Sequence, residues 1–217
     1  LGCSKLLLEN RLKMTRTLAV IPARLASSRF PNKPLKMILG IPMIAHCYYR
    51  ALLCKNVDKL ILATPDKEII ELSNQLGFQA IMTSDKHERA TERACEVLDI
   101  LKSDGQLYDN VLLLQGDEPQ INPETIDQLI KEITESNNDV INLIHPIENE
   151  DLIDTNIVKA IINNDKDVIN LSRTAIPANG KSGFRQLGMI AFKTNGLEKF
   201  SQLKPSKHEI IESIDMM

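Results

Sequence analysis

The chain has 217 residues, a net charge of −3 and 43% hydrophobic residues, enough for one substantial core and too little clustered basic charge for a nucleic-acid polymer as partner. A nucleotide monomer suits this balance better. Cys3, Cys47, Cys54 and Cys95 form no C-x-x-C pair and no zinc spacing, so they read as small buried hydrophobes in a reducing compartment, and the expected location is the cytoplasm.

The opening LGCSKLLLENRLKM holds a three-residue apolar run, too short for a signal peptide or a membrane span. Residues 1–16 are expected to be a disordered or non-native extension, and no insertion into a membrane is expected. A single domain is expected over 17–217. From Thr17 onward short apolar runs bounded by Gly, Pro, Asn or Asp recur: TLAVIPA, KLILATP, VLLLQGDEP, VINLIHPI, IVKAII, VINLSRTAI and LGMIAF. They read as strands, several buried on both faces.

Between the early strands lie helical periods: PMIAHCYYRALLC, DKEIIELSNQLG with Gly77 as its stop, a stretch beginning near Glu92, and PETIDQLIKEITES started by Asn122-Pro123. This alternation predicts an α/β fold, a Rossmann-like doubly wound and mostly parallel sheet with ligands at the carboxyl ends of its strands. Near residue 140 the pattern changes to closely spaced strands, predicting an added antiparallel element. The final HEIIESIDMM stops inside an amphipathic helical pattern without a stop signal, so the natural chain is expected to continue beyond it.

Two segments carry chemistry. After the first strand, Arg24, Arg29 and Lys33 with Ser27 and Ser28 occupy the first crossover, stiffened by Pro22, Pro31 and Pro34. A triphosphate needs such fixed cationic donors, although a basic loop at a strand end is equally compatible with a solvated surface. The loop is neither a Walker P-loop nor a G-x-G-x-x-G turn. After VLLLQ, Gly116 permits a sharp turn and sets Asp117 and Glu118 directly beyond a buried strand, a place where one or two carboxylates can hold Mg²⁺ against phosphate oxygens. His46, His87, His145 and His208 lack the mutual spacing for a metal site or a triad and are given no catalytic role.

IPARLASSRFPNKPL, TER within HERATERACEV, QGDEP, SRTAIP and LG follow one another in the order found in the CMP-3-deoxy-manno-octulosonate synthetases. The chain resembles that family of sugar-nucleotide cytidylyltransferases from about Thr17 to its last residue. The resemblance implies a nucleotide-diphospho-sugar transferase type of fold and transfer of CMP from CTP to an acidic 2-keto-3-deoxy sugar. It further implies Mg²⁺ as cofactor, a homodimer and a role in lipopolysaccharide or capsule synthesis.

Residue by residue, the resemblance implies that Arg24, Ser28, Arg29 and Lys33 bind the CTP phosphates, that Arg93 and Gln115 hold the nucleotide, and that Asp117 ligates the metal. Arg24, Lys33 and Asp117 are the implied catalytic residues. Arg173, Gln186, Glu209 and Glu212 are implied on the sugar side. Each has a plainer reading: Arg93 paired with Glu92 or Glu96 on a helix surface, Gln115 capping a strand, Arg173 bridging subunits, and Glu209 and Glu212 on a solvated face.

Three departures bear on this. Arg89-Ala90 replaces the family's Ser-Gly before Thr91-Glu92-Arg93, and Gln186 and Ile190 replace a His and a Tyr. The acceptor therefore stays open between the octulosonate and another keto-deoxy sugar acid, a nonulosonic or amino-substituted one included. The family's V-D-T-P-E-D-L element, whose Asp completes the metal site, lies past the last residue, so either the chain is truncated or a second carboxylate is missing. Two rival readings remain: a nucleotidyltransferase acting on a sugar 1-phosphate, and an inactive nucleotide-binding homologue.

Overall fold

The computed structural model describes residues 14–26, 30–148, 150–175 and 182–215. The sequence reads as one domain, whereas the fold divides into two compact units. The first comprises 14–141 and Met189–Gln202, the second Asn142–Gly188 and 203–215. The boundary at Ile141 coincides with the change of pattern near residue 140.

In the first unit, β1 (Thr17–Pro22), β4 (Lys59–Thr64), β5 (Ala80–Met82) and β6 (Asn110–Leu114) form a parallel sheet in the order β5-β4-β1-β6. Residues 189–193 of β10 (Ser182–Lys193) pair antiparallel with β6, Met189 opposite Leu114. Leu18 to Ile21 and Val111 to Leu114 are buried, because helices cover both faces and the strands have no solvent side on which to alternate. After building β4 and β5 on one side of β1, the chain crosses to place β6 on the other. The crevice beyond β1 and β6 is thus the topological switch point, where a doubly wound sheet binds its ligand.

The helices begin and end where local chemistry directs. α1 (Met43–Leu52) follows the hairpin β2 (Met37–Ile38) and β3 (Ile41–Pro42). α2 (Lys67–Leu76) ends at Gly77 with φ 72°, the left-handed closure that glycine adopts without steric cost. α3 (Ala90–Ser103) starts two residues before the predicted Glu92. α4 (Pro123–Glu135) is capped by the Asn122 side chain, which accepts from the Glu124 N–H. The short β5 and α6 (Thr194–Ser201) were not predicted from the sequence; Leu197 buries α6. Arg16, assigned to the extension, is anchored: its N–H donates to Asp109 at 2.8 Å. Residues 1–13 lie outside the described residues.

At the hairpin turn Leu39 and Gly40 have φ of 49° and 81°. Left-handed backbone at both central positions marks a type I′ turn, which favours Asn-Gly. A leucine there costs about 1–2 kcal/mol in steric strain.

In the second unit, β8 (Lys159–Ile162) pairs antiparallel with β9 (Val168–Ser172) and with β10, Phe184 opposite Ala160; β7 (Val140–Glu148) also pairs with β10. Ala160, Leu171 and Ile214 form its core with Ile144, Val158 and Phe184 packed around them. The one-turn helix α5 (Glu150–Ile153) precedes β8. The last helix, α7 (Lys207–Glu212), corrects the expectation of a helical pattern without caps. Ser206 and Glu209 form a capping box at its start, and Ser213 closes it at φ 52°.

Candidate active site

The chain leaves β1 through Ala23 and Arg24, and the Leu25 N–H is held by the Asp66 carboxylate at 2.7 Å. Asp66 follows β4 and is itself fixed by the Thr64 hydroxyl, which accepts its N–H at 3.1 Å. The loop returns through a single 3₁₀ turn at Lys33–Leu35, with Pro34 buried. Lys33 is thereby brought to the end of β6, where its Nζ lies 2.7 Å from Asp117 Oδ2. The two side chains are 38% and 44% exposed, so each is held by its partner more than by packing.

Around this pair opens a cleft of about 260 Å³ lined by Arg24, Lys33, Arg93, Gln115 and Asp117, with His87 in its wall. The cleft lies beyond the carboxyl ends of β1 and β6. All the implied nucleotide ligands among the described residues line it. Ser28 and Arg29 lie outside the described residues.

Gly116 sits in the turn expected of it, where the Glu118 N–H donates to the Gln115 carbonyl at 3.4 Å, and it has a second reason. A Cβ there would fall 2.8 Å from the Pro22 carbonyl oxygen and 2.9 Å from Ile44 Cδ1, so its bare backbone lets the ends of β1 and β6 approach across the cleft floor. Below it, Cys47 is buried, and desolvation with the negative charge of Asp117 pushes its thiol up to about 12. Cys47 is protonated packing, as the sequence suggests.

Arg93 is not a surface partner of Glu92 or Glu96. It is 4% exposed and donates through Nη1 to Thr83 Oγ1 and to the Ser84 carbonyl oxygen, the latter at 3.1 Å. Burial lowers its pKa below the usual arginine value, and Glu96 opposes that shift. A guanidinium fixed in this way presents its remaining N–H groups in one orientation. Gln115 is exposed at the mouth of the cleft.

Asp66 and His87 were missed in the sequence. Asp66 stands directly after a buried strand in ATPD, the same signal that identified Asp117. His87 Nε2 lies 2.6 Å from Glu96 Oε2, and that carboxylate also accepts the Ser84 N–H at 2.8 Å. Its partner is nine residues away on α3, a relation that no search for paired histidines detects.

In the second unit the implied sugar residues are engaged with the fold. Arg173 donates to the carbonyl oxygens of Thr155, Asn156, Glu212 and Ser213 at 2.8–3.3 Å. Glu212 accepts the Arg173 N–H at 2.8 Å and the Ser172 hydroxyl at 3.2 Å. Glu209 is buried and accepts the Ser206 N–H, so it is not on a solvated face. The Gln186 amide donates to Asn142 at 2.7 Å. Beside them Lys159, 1% exposed, donates to the carbonyls of Asp154, Ile157 and Arg173.

The cytidylyltransferase family matches residues 18–217. The 3-deoxy-manno-octulosonate cytidylyltransferase of Thermodesulfovibrio yellowstonii is 37% identical, over 93% of this chain and 84% of that protein. The chain belongs to this cytidylyltransferase family. The Escherichia coli enzyme of the same name is 35% identical over 94% of this chain and 83% of its own length. A solved CMP:2-keto-3-deoxy-manno-octonic acid synthetase complexed with CTP superposes with a TM-score of 0.83 at 34% identity, covering 92% of this chain and 83% of that one. A 4-diphosphocytidyl-2C-methyl-D-erythritol synthase from Anaerococcus prevotii, 16% identical with a TM-score of 0.58 over 94% of this chain and 84% of that one, shares the fold. The nucleotidyltransferase class and the α/β architecture expected from the sequence are therefore established.

Proposed function

We propose that this enzyme transfers CMP from CTP to the anomeric hydroxyl of 3-deoxy-manno-octulosonate, or a close 2-keto-3-deoxy relative, and releases pyrophosphate. The observation that carries the reading is the 2.7 Å contact between Lys33 and Asp117 at the switch point, in one cleft with Arg24, Arg93 and Gln115. Without nucleotide each charge is the other's partner. A triphosphate offers Lys33 phosphate oxygens in exchange and frees the Asp117 carboxylate.

The freed carboxylate fits a divalent cation of the kind this chemistry uses. Among the described residues no three His, Cys, Asp or Glu side chains converge, but Mg²⁺ needs only one or two carboxylates beside phosphate and water. Asp117 is a hard oxygen donor at the cleft surface. Mg²⁺ bound there would screen the phosphates and acidify the attacking hydroxyl.

Arg24 and Lys33 stabilise the departing pyrophosphate, Arg93 and Gln115 fix the nucleotide, and Ser28 and Arg29 are proposed to extend the phosphate loop. The anomeric oxygen forms its bond to the α-phosphorus as the bond to the bridging pyrophosphate oxygen breaks, and the hydroxyl proton is released. Both reactants are anions, so catalysis rests on orientation and on cations placed before the reaction begins.

On the acceptor side Arg173, Gln186, Glu209 and Glu212 are the proposed residues. Arg173 and Glu209 act there by holding their segment, since both are tied to backbone groups. Gln186 and Ile190, standing where the family pattern has His and Tyr, broaden the acceptor to neighbouring keto-deoxy acids. We place the enzyme in the cytoplasm as a homodimer that supplies activated sugar for bacterial surface polysaccharide.

The test is pyrophosphate release with each nucleoside triphosphate, Mg²⁺, and a panel of keto-deoxy sugar acids and sugar 1-phosphates. Release that requires CTP and a keto-deoxy acid is expected. Release with a sugar 1-phosphate, or none with any pair, overturns the proposal.

A further inference from the structure

The segment 83–89 joins β5 to α3 without helix or strand of its own, and side chains from one face of α3 hold it along its length. Glu92 Oε2 accepts the N–H groups of Glu88 and Arg89 at 3.1 and 3.2 Å. Arg93 donates to the Thr83 hydroxyl and to the Ser84 carbonyl oxygen. Glu96, one turn further on and so on the same face, accepts the Ser84 N–H at 2.8 Å. Ser84 is therefore gripped by α3 on both sides, its N–H through Glu96 and its carbonyl through Arg93.

His87 returns a side chain from the segment to that face. Its Nε2 lies 2.6 Å from Glu96 Oε2, and its Nδ1 lies 3.8 Å from Glu92 Oε2. A carboxylate only accepts, so the ring donates to Glu96 through Nε2. The same oxygen of Glu96 meets the Ser84 N–H, and the ring therefore fixes the carboxylate where Ser84 needs it. The His87 side chain is 23% exposed, which limits the water that competes for this contact. His87 also lines the cleft beside Arg93, so the wall of the cleft and the anchor of Arg93 are one connected set of contacts.

We propose that His87 is a positioning residue for the nucleotide: through Glu96 it fixes Ser84, and through Ser84 it fixes the buried Arg93 at the cleft. The inference rests on the reading of that cleft as the CTP site. Its effect falls on binding. Arg93 holds the nucleotide before and during the reaction alike, and loosening a contact of that kind raises KM while kcat is kept. A side chain that touched the reacting atoms would act the other way, lowering kcat. A ring that merely filled space in the wall would be replaced without loss by an apolar side chain of similar size, whereas a strut that works through its N–H needs a donor at the Nε2 position.

The test is steady-state kinetics of the full chain with CTP, Mg²⁺ and 3-deoxy-manno-octulosonate, for the wild type, His87→Leu, His87→Gln, Glu96→Ala and the double variant. His87→Leu is expected to raise the KM for CTP about tenfold, the scale of losing one hydrogen bond to a charged group, with kcat within about twofold of the wild type. His87→Gln, whose amide N–H reaches the Nε2 position, is expected to bring KM back to within about threefold. In the Glu96→Ala background His87→Leu is expected to add nothing, because both act through one contact. An unchanged KM in His87→Leu, a loss confined to kcat, no rescue by His87→Gln, or losses that multiply in the double variant overturns the proposal. If calorimetry shows His87→Leu unfolded, His87→Asn, one atom too short to reach Glu96, takes its place. Amide hydrogen exchange over residues 83–90 reads the strut without turnover: faster exchange in His87→Leu than in the wild type and His87→Gln is expected, and equal rates overturn the proposal. A wild type that releases no pyrophosphate with CTP sinks the CTP reading instead, and the exchange rates then decide the strut alone.

Discussion

In the first unit Lys33 and Asp117 meet at 2.7 Å, yet each keeps more than a third of its side chain exposed. In the second unit Lys159 is 1% exposed and donates to three backbone carbonyls, while Arg173 donates to four. The cations have the same charge and opposite duties. A charge held by one exposed partner can exchange it for a ligand at small cost, because an exposed ion pair is worth about 0–1 kcal/mol. A buried charge whose donors all meet main-chain oxygens cannot leave them without stranding desolvated groups.

The comparison is tested most severely in the cleft. Lys33→Ala and Asp117→Asn should each lower kcat by about a hundredfold or more, the scale of losing one transition-state contact, while Tm stays nearly unchanged. Steady-state kinetics and calorimetry on the same samples decide the matter. If kcat is preserved, or if the loss follows a collapse in Tm, the pair belongs to structure and the contrast between the units fails.

Lys159→Met reverses the expectation. The methionine fills a similar space but donates nothing, leaving the carbonyls of Asp154, Ile157 and Arg173 without their shared donor. Stability should fall by about 2–4 kcal/mol, read by denaturant titration, with CTP affinity unchanged. Loss of CTP affinity without loss of stability would place Lys159 among the ligands.

How much of this was legible in the sequence depends on which force set each feature. β1, β4 and β6 were readable because burial on both faces leaves continuous apolar runs, and Gly77 and Asn122-Pro123 were readable because cap chemistry is local. The three-residue β5 carries too few side chains for a period to show. Ser206-Lys207-His208-Glu209 is a legible capping box, and it accounts for Glu209 being buried rather than on the solvated face that was its plainer reading. The cleft is different in kind. Lys33 and Asp117 are 84 positions apart, and only the crossover at the switch point joins them, so their convergence came from motif order and not from periodicity. His87 and Glu96 were hidden because their contact joins a loop residue to a helix side chain with no repeating spacing, whereas Asp66 carried the same local mark as Asp117, a place directly after a buried strand. Gly116 was legible through the turn it opens; the further constraint is the Pro22 carbonyl opposite it, which no local pattern reveals.

The smallest effect separates the two kinds of charge by pH. The Arg173 N–H, and then the Ser172 hydroxyl, hold the Glu212 carboxyl below its ordinary value of 4.5. A carboxylate with a lowered folded pKa contributes stability that is present above the unfolded value and is lost as pH falls through the folded one. Glu212→Gln should therefore be less stable than the wild type by a few tenths of a kcal/mol between about pH 5 and 7, modest because the group is partly exposed. As pH falls from the ordinary value of 4.5 through the lowered folded one, the two proteins should converge, because the wild-type carboxyl becomes protonated as well. Curves that stay parallel down to pH 3 would mean that the Arg173–Glu212 contact owes its strength to shape rather than charge, and the second unit's cluster would then be a hydrogen-bonded clasp in which ionisation has no part.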